Sequence, residues 1–201
     1  MTQVNAGDVL TSRELTTIHG KPVRVPDAGR LVHLQFRRYA GCPVCNLHLR
    51  SIARRHDDVL AAGILEVVVF HSTAETMLEF QGQLPFAAIA DPQKKLYAEF
   101  GVRKMSPLAA LNPHSWLVAA RALTRTPSLR GVTGKGEEHL GLSAELLMSP
   151  EGRILAVKYG KHVDDHWSVD ELLDLAGRRS APVPSLHGSR LEIDSQQIRE
   201  L

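Results

Sequence analysis

Hydrophobic residues along this chain change between strand-like and helix-like spacing, and this change predicts alternating strands and helices. Residues 31–36 read as a strand, and residues 64–70 are almost all apolar, which is typical of a parallel strand buried on both faces. Between them, apolar side chains recur at helical spacing from Pro43 to about Ala61, and Gly63 ends the predicted helix. The pattern therefore predicts a βαβ unit near the start of the chain.

Further elements are predicted on both sides of this unit. Residues 8–27 contain short apolar pieces separated by turn residues, which predict an N-terminal β-hairpin. After the second strand, the sequence predicts a helix over 74–81 capped by Ser72 or Thr73, a strand over 85–90, and a helix from Asp91 to Phe100.

The second half of the chain predicts a different order of elements. Residues 107–123 are predicted to be helical with an interruption at Asn112-Pro113, and residues 124–141 to form a long loop. The runs 142–148 and 154–159 flank a Pro-Glu-Gly turn and predict a hairpin. Ser168 and Glu171 have the spacing of a capping box, which predicts a last helix to about Gly177.

This order of elements predicts an α/β protein with a thioredoxin-like fold. The N-terminal hairpin and the middle helices are then additions to that fold. We expect one domain over residues 1–179 and a peripheral C-terminal tail over 180–201, where the sequence is linker-like.

Composition narrows the functional classes. The 201-residue chain is 43% hydrophobic and 23% charged, as in ordinary globular proteins, and its net charge of +2 does not favour nucleic-acid binding. No apolar run approaches the ~18 residues of a membrane span. The N-terminus lacks a basic segment followed by an apolar one, so we expect a cytoplasmic protein without membrane association.

Both cysteines lie in Cys42-Pro43-Val44-Cys45, at the junction of the first strand and the first helix. Thiols at this spacing and place are typical of a redox site in a thioredoxin-like fold. The helix N-terminus favours a thiolate on Cys42, Pro43 suits the first helical position, and Cys45 lies in the first turn. We expect Cys42 to attack and Cys45 to resolve, with Arg37 or Arg38, but not both, adding positive potential near the sulfur.

Other interpretations of the pair stay open. With His48 and His71 the cysteines could form a zinc site, and they could also be inert buried thiols. Covalent haem is disfavoured because Asn46, not histidine, follows Cys45, and no cofactor is predicted.

The segment 36–45 resembles the active-site segment of the peroxiredoxin-like proteins of the AhpC/TSA family. Residues 86–102, with their Asp-Pro turn, and residues 144–154 are similar to two later segments of the same family, in the same order. The resemblance implies that Cys42 is oxidised by a peroxide, that a thioredoxin- or glutathione-type donor reduces the enzyme, and that a homodimer can form.

The chain also departs from this family. Tyr39 stands where peroxiredoxins have threonine or serine, Gln35 where they have proline, and residues 142–144 offer no arginine. Ser143 stands where thioredoxins have a cis-proline, and Cys45 is unusual in a peroxiredoxin. These departures keep two functions open beside peroxide reduction: thiol–disulfide exchange, and a redox sensor that uses the 124–141 loop and the tail for partner contacts.

Overall fold

A five-stranded sheet forms the centre of the protein, in the order β5-β4-β3-β6-β7. The computed structural model describes residues 2–103, 141, 143–162 and 164–180. The strands are β1 Arg13–Thr16, β2 Pro22–Val25, β3 Leu31–Phe36, β4 Ile64–Phe70, β5 Ala87–Ala90, β6 Ala144–Met148 and β7 Ile154–Tyr159. The helices are α1 Pro43–Arg54, α2 His56–Ala61, α3 Ala74–Gln81, α4 Lys95–Glu99 and α5 Val169–Ser180.

The pairing of the strands is that of a thioredoxin-like sheet. β3 runs parallel to β4, and β4 runs parallel to β5. On its other side β3 pairs antiparallel with β6, which forms an antiparallel hairpin with β7. The N-terminal hairpin of β1 and β2 forms a separate two-stranded sheet. The predicted fold class and the N-terminal hairpin are therefore confirmed.

Both faces of the central sheet are covered by an apolar cluster. The side chains of each strand alternate between these two faces. We call one face the hairpin face: its apolar cluster joins Val32, Leu34, Phe36, Val67 and Leu146 to Val25 of the N-terminal hairpin and Phe100 after α4. We call the other face the redox face: its cluster contains Val68, Phe70 and Leu147 together with residues of α1, α3 and α5. Both cysteines belong to the redox-face cluster.

Three predicted elements differ from the structure. The helix expected over 43–61 is divided at Arg55, whose amide donates to the Ile52 carbonyl three residues back, so that α1 ends in a tighter turn. The strand expected from residue 85 begins at Ala87. The helix expected from Asp91 begins at Lys95. Asp91 lies before the helix, and its carboxylate caps the first turn by accepting from the amides of Lys95 and Leu96.

Other boundaries are close to their predictions. β3, β4, α3 and β7 have the expected ranges, and α5 continues to Ser180 rather than ending near Gly177. The helix expected over 107–123 falls outside the described residues, as do nearly all of the 124–141 loop and of the 180–201 tail. Among the described helices, none combines the length and the apolar character needed to cross a membrane.

Candidate redox site

The cysteine pair lies at the start of α1, where the chain leaves the sheet after β3. Cys42 is the N-cap of α1, and its sulfur accepts a hydrogen bond from the Cys45 amide at 3.3 Å. Pro43 begins the helix, where its missing amide hydrogen costs nothing. The cysteines are free thiols, 1% and 5% exposed, and a side-chain hydrogen bond joins them.

Arg38 is the cation that contacts the pair. Its Nη2 lies 2.9 Å from the Cys42 sulfur, whereas the guanidinium of Arg37 is directed into the protein below the helix. The two neighbouring arginines therefore lie in different surroundings. Arg38 supplies a positive charge at hydrogen-bonding distance from the first sulfur.

Burial and nearby charges act in different ways on the two thiols. Burial, the hydrogen bond to Cys45 and the charge on Cys45 raise the pKa of Cys42 well above its ordinary value. Burial also disfavours a charge on Cys45, but the hydrogen bond from Cys42 and the positive charges of Arg38 and Arg37 outweigh it and lower the pKa of Cys45. The helix start and the two arginines thus favour one thiolate in the pair.

The loop before Cys42 is fixed by side chains from three elements. The Ala40 carbonyl accepts from Asn46 Nδ2 at 3.1 Å and from Gln81 Nε2 at 2.8 Å. The Ala40 amide donates to Ser72 Oγ at 2.8 Å. Because α1, α3 and the end of β4 each supply one contact, the position of Cys42 depends on the tertiary structure as a whole.

Tyrosines lie on either side of this loop. Tyr39, which replaces the threonine of peroxiredoxins, is 5% exposed and packs in the redox-face cluster, and its carbonyl accepts from the Cys42 amide at 3.0 Å. The Tyr97 hydroxyl is hydrogen-bonded to the carbonyls of Arg37 and Val69. It therefore joins the ends of β3 and β4 directly before the cysteine loop.

A row of buried polar side chains crosses the redox face, and sequence reasoning did not find it. Glu66 contacts His33 at 2.9 Å and accepts from Gln35, Gln35 accepts from Arg37, and Arg37 donates to Glu145. These five residues are at most 1% exposed, and we call them the buried polar row. The alternation His33-x-Gln35-x-Arg37 in a strand buried on both faces could have indicated it.

Ser143 and the two candidate zinc-binding histidines have other contacts that the structure describes. The Ser143 hydroxyl donates to the Asp165 carbonyl at 3.2 Å. The His48 and His166 rings are tilted against each other with centroids 3.7 Å apart, and the His71 ring lies against Tyr97. Within the described ranges, no group of three or more His, Cys, Asp or Glu side chains could hold a metal ion.

A surface cavity of about 380 Å³ opens between α1 and the start of α5. Its lining includes His48 and His166, and also Ser51, Arg54 and Ser168. Burial lowers the pKa of His48 well below its ordinary value and that of His166 to about 3, and nearby positive charges, Arg37 among them, act in the same direction. Both imidazoles are therefore neutral at physiological pH.

The fold, together with a cysteine pair at the start of its first helix, defines a thiol-dependent oxidoreductase of the thioredoxin superfamily, and comparison with known proteins agrees. The profile of a family described as AhpC/TSA antioxidant enzyme matches residues 51–162. The chain therefore belongs to this family, and the predicted family and enzyme class are confirmed. The matched region begins six residues after Cys45, so it does not include the cysteine pair. No curated protein matches the chain.

Solved structures support the same fold. Peroxidoxin BcpB from Mycobacterium tuberculosis is 17% identical, with a TM-score of 0.63 over 90% of this chain and 100% of that one. Peroxiredoxin Q from Xanthomonas campestris is 16% identical, with a TM-score of 0.59 over 83% and 90%. A protein described as thiol:disulfide interchange protein DsbE from Chlorobium tepidum is 18% identical, with a TM-score of 0.57 over 87% and 100%. Likeness at these identities shows the fold alone.

Proposed function

We propose that this protein reduces peroxides through a Cys42 sulfenic acid that Cys45 resolves to a disulfide. The observation that carries this proposal is the contact between Arg38 and the Cys42 sulfur at 2.9 Å, at the N-terminus of a helix. A cation in this position stabilises the attacking thiolate and also the oxygen anion that leaves. Arg38 would thus serve the role of the arginine that residues 142–144 lack.

The first step requires a thiolate on Cys42. Because the two sulfurs share a hydrogen bond, transfer of one proton from Cys42 to Cys45 produces this thiolate beside Arg38. The sulfur attacks one peroxide oxygen, the O–O bond breaks, and Cys42 becomes a sulfenic acid. The leaving alkoxide or hydroxide takes up a proton to give the alcohol or water.

The second step forms the disulfide. The Cys45 sulfur, having lost its proton, attacks the Cys42 sulfur, and the sulfenic hydroxyl leaves with a proton as water. A dithiol donor of the thioredoxin type, or two glutathione molecules, then supplies two electrons and two protons. Donor thiolate attack on Cys42 releases Cys45 as a thiolate, and its lowered pKa makes it a good leaving group.

A second candidate function is thiol–disulfide exchange. It is favoured by the position of Cys45 in the first turn of α1 and by Tyr39 at the position of the peroxiredoxin threonine. In this case Cys42 attacks a protein disulfide and forms a mixed disulfide, and Cys45 then releases the reduced substrate.

A Cys45→Ser variant separates the two functions. Treated with hydrogen peroxide or an organic hydroperoxide, it should accumulate a Cys42 sulfenic acid, detected with a dimedone-type probe and by mass spectrometry. The Cys42→Ser variant is the matched control and should give no labelled product. A mixed disulfide with a disulfide substrate, without any sulfenic acid, would instead support exchange. Peroxide oxidation of the parent no faster than that of free cysteine would overturn peroxide reduction.

The role of Arg38 is tested by comparing the peroxide oxidation rates of two arginine variants with that of the parent. Arg38→Met should slow peroxide oxidation of Cys42, whereas Arg54→Met, which removes an exposed arginine at the opposite end of α1, should leave the rate unchanged. Equal rates in all three proteins would contradict the role given to Arg38.

A further inference from the structure

The buried polar row ends directly beneath the helix that carries the cysteines. Arg37 donates to Glu145 Oε1, and both side chains are at most 2% exposed. His48 Nε2, on α1, lies 3.7 Å from the same Glu145 oxygen. The Glu145 carboxylate also accepts from the Trp167 amide, at the start of the segment that leads into α5. An ion pair with contacts to α1 and to the α5 region is therefore enclosed under the redox site.

Cys45 shares a side of α1 with His48. Residues three apart are neighbours on a helix surface, and both side chains are buried toward the sheet. The Cys45 sulfur is thus one helical turn before the imidazole that approaches Glu145. The positive charge of Arg37 acts on Cys45 from the sheet side, as Arg38 acts on Cys42 from the loop side.

A buried ion pair needs an explanation beyond stability. Burying two charges costs solvation free energy that their attraction does not reliably offset, and apolar replacements are often as stable. The equivalent positions on the hairpin face are filled by apolar side chains such as Leu34 and Leu146. The charges of Arg37 and Glu145 are therefore better explained by an effect on the helix above them.

We propose that the Arg37–Glu145 pair is a positioning device for the resolving cysteine: Arg37 stabilises the Cys45 thiolate from beneath α1, and Glu145 limits that stabilisation. This inference rests on the proposed division of roles between Cys42 and Cys45. It assigns to Arg37 and Glu145 no contact with substrate. Their effect reaches the chemistry only through the charge of Cys45.

The charge on Cys45 affects how fast the disulfide is reduced and how its equilibrium with the dithiol form is placed. In reduction of the disulfide, a donor thiolate forms a bond to the Cys42 sulfur, the Cys42–Cys45 bond breaks, and the electron pair leaves on Cys45. A more stable Cys45 thiolate speeds this departure and shifts the equilibrium toward the dithiol form. With less stabilisation, the disulfide form is favoured. Glu145 thus controls how oxidising the pair is.

Several charged or titratable groups face this region and must be kept constant. They are Cys42 and Arg38 on the loop and helix start, His48 on α1, Tyr97 after β5, His33 and Glu66 in the buried polar row, and Lys158, Asp165 and His166 beside Glu145. The Arg37 and Glu145 variants below leave all of these groups unchanged, and the control alters Glu66 alone.

The test is the ionisation of the reduced protein, followed by thiolate absorbance and by alkylation rate against pH. Glu145→Gln should move the first ionisation of the pair to lower pH by about one unit, because the charge of Arg37 is no longer balanced. The double variant Arg37→Met/Glu145→Gln, which avoids an isolated buried charge, should move it to higher pH. In a glutathione redox buffer, Glu145→Gln should shift the equilibrium toward the dithiol by up to roughly tenfold.

Glu66→Gln is the matched control, because it changes a carboxylate of the same row that is farther from α1. It should leave the ionisation unchanged. The inference is overturned if the folded Glu145→Gln and double variants ionise like the parent, or if Glu145→Gln moves the ionisation to higher pH. These measurements use the reduced protein without peroxide, so they stay informative if peroxide reduction itself fails.

Discussion

The two faces of the central sheet are equally buried but differ in their chemistry. On the hairpin face, Val32, Leu34 and Phe36 of β3 belong to one cluster of apolar and aromatic side chains. On the redox face, the alternate residues His33, Gln35 and Arg37 of the same strand carry polar or charged groups. A single strand thus supplies an apolar core on one side and an enclosed hydrogen-bonded row on the other.

This difference separates two uses of burial. Apolar burial on the hairpin face contributes stability roughly in proportion to the area removed from water. On the redox face, burial strengthens the interactions between charges, because fewer water dipoles screen them. The helix with the cysteine pair packs on the second face, where enclosed charges can act on a thiol. The following predictions test this contrast, beginning with the largest expected effect.

Removing one partner of the Arg37–Glu145 ion pair should lower the free energy of unfolding, and removing the other partner as well should restore part of it. Arg37→Met leaves Glu145 as an uncompensated buried charge, so we expect the free energy of unfolding to fall by about 3–5 kcal/mol. Adding Glu145→Gln should recover most of that loss. Denaturant unfolding of the parent, both single variants and the double variant measures the coupling.

On the hairpin face, Leu146→Ala should cost a comparable amount, about 2–5 kcal/mol, through the cavity that it leaves. That cost should add to the cost of Arg37→Met, since no charge links the two sites. A coupling between Leu146 and Arg37 as large as that between Glu145 and Arg37 would remove the distinction between the faces.

Low pH should lower the free energy of unfolding through His166, which lies beside the redox face. Burial and nearby positive charges hold the pKa of His166 at about 3, below the 6.5 of an unperturbed histidine. Between these values the unfolded chain binds a proton that the folded protein excludes, so stability falls as pH decreases below 6.5. We expect this residue to account for about 2 kcal/mol lost by pH 5.

The check is chemical denaturation at several pH values between 4 and 8. His166→Asn should flatten the dependence below pH 6.5, while the hairpin-face variant Leu146→Ala should keep the slope of the parent. An unchanged slope in His166→Asn would show that the imidazole is protonated in the folded protein.

The smallest effect is expected where the two faces meet. Tyr97 packs in the hairpin-face cluster, but its hydroxyl reaches the Arg37 and Val69 carbonyls at the strand ends. Tyr97→Phe should lower the free energy of unfolding by about 1 kcal/mol, the usual net contribution of one hydrogen bond. Thermal or denaturant unfolding measures this loss, and a change within experimental error would mean that the hydroxyl does not hold the strand ends.

Local patterns were sufficient for many elements. The apolar run of β4 fixes its length, the Thr73 side chain caps α3 through the Thr76 amide, and Ser168 and Glu171 form the expected reciprocal capping contacts. These elements depend on neighbours within a few residues, so periodicity and capping residues contain the necessary information.

Contacts of individual side chains, both local and long-range, explain the elements that differed. α1 stops at Arg55, whose side chain binds Asp58 nearby and Asp170 on α5, and α4 starts only after Asp91 has folded back onto its amides. In the candidate site, the contacts of Ala40 with Ser72 and Gln81 join segments more than thirty residues apart. The spacing of hydrophobic residues within one element contains no information about such contacts.

Sequence alone was enough for the thioredoxin-like order of elements, the family and the position of the cysteine pair at a helix start, because each depends on local spacing and residue type. The folded structure set the environment of each charge. It directed Arg38 to the Cys42 sulfur and Arg37 to Glu145, and it gave the lowered pKa to Cys45. Ionisation depends on burial and on charges brought close by folding, and adjacency in the chain specifies neither of these.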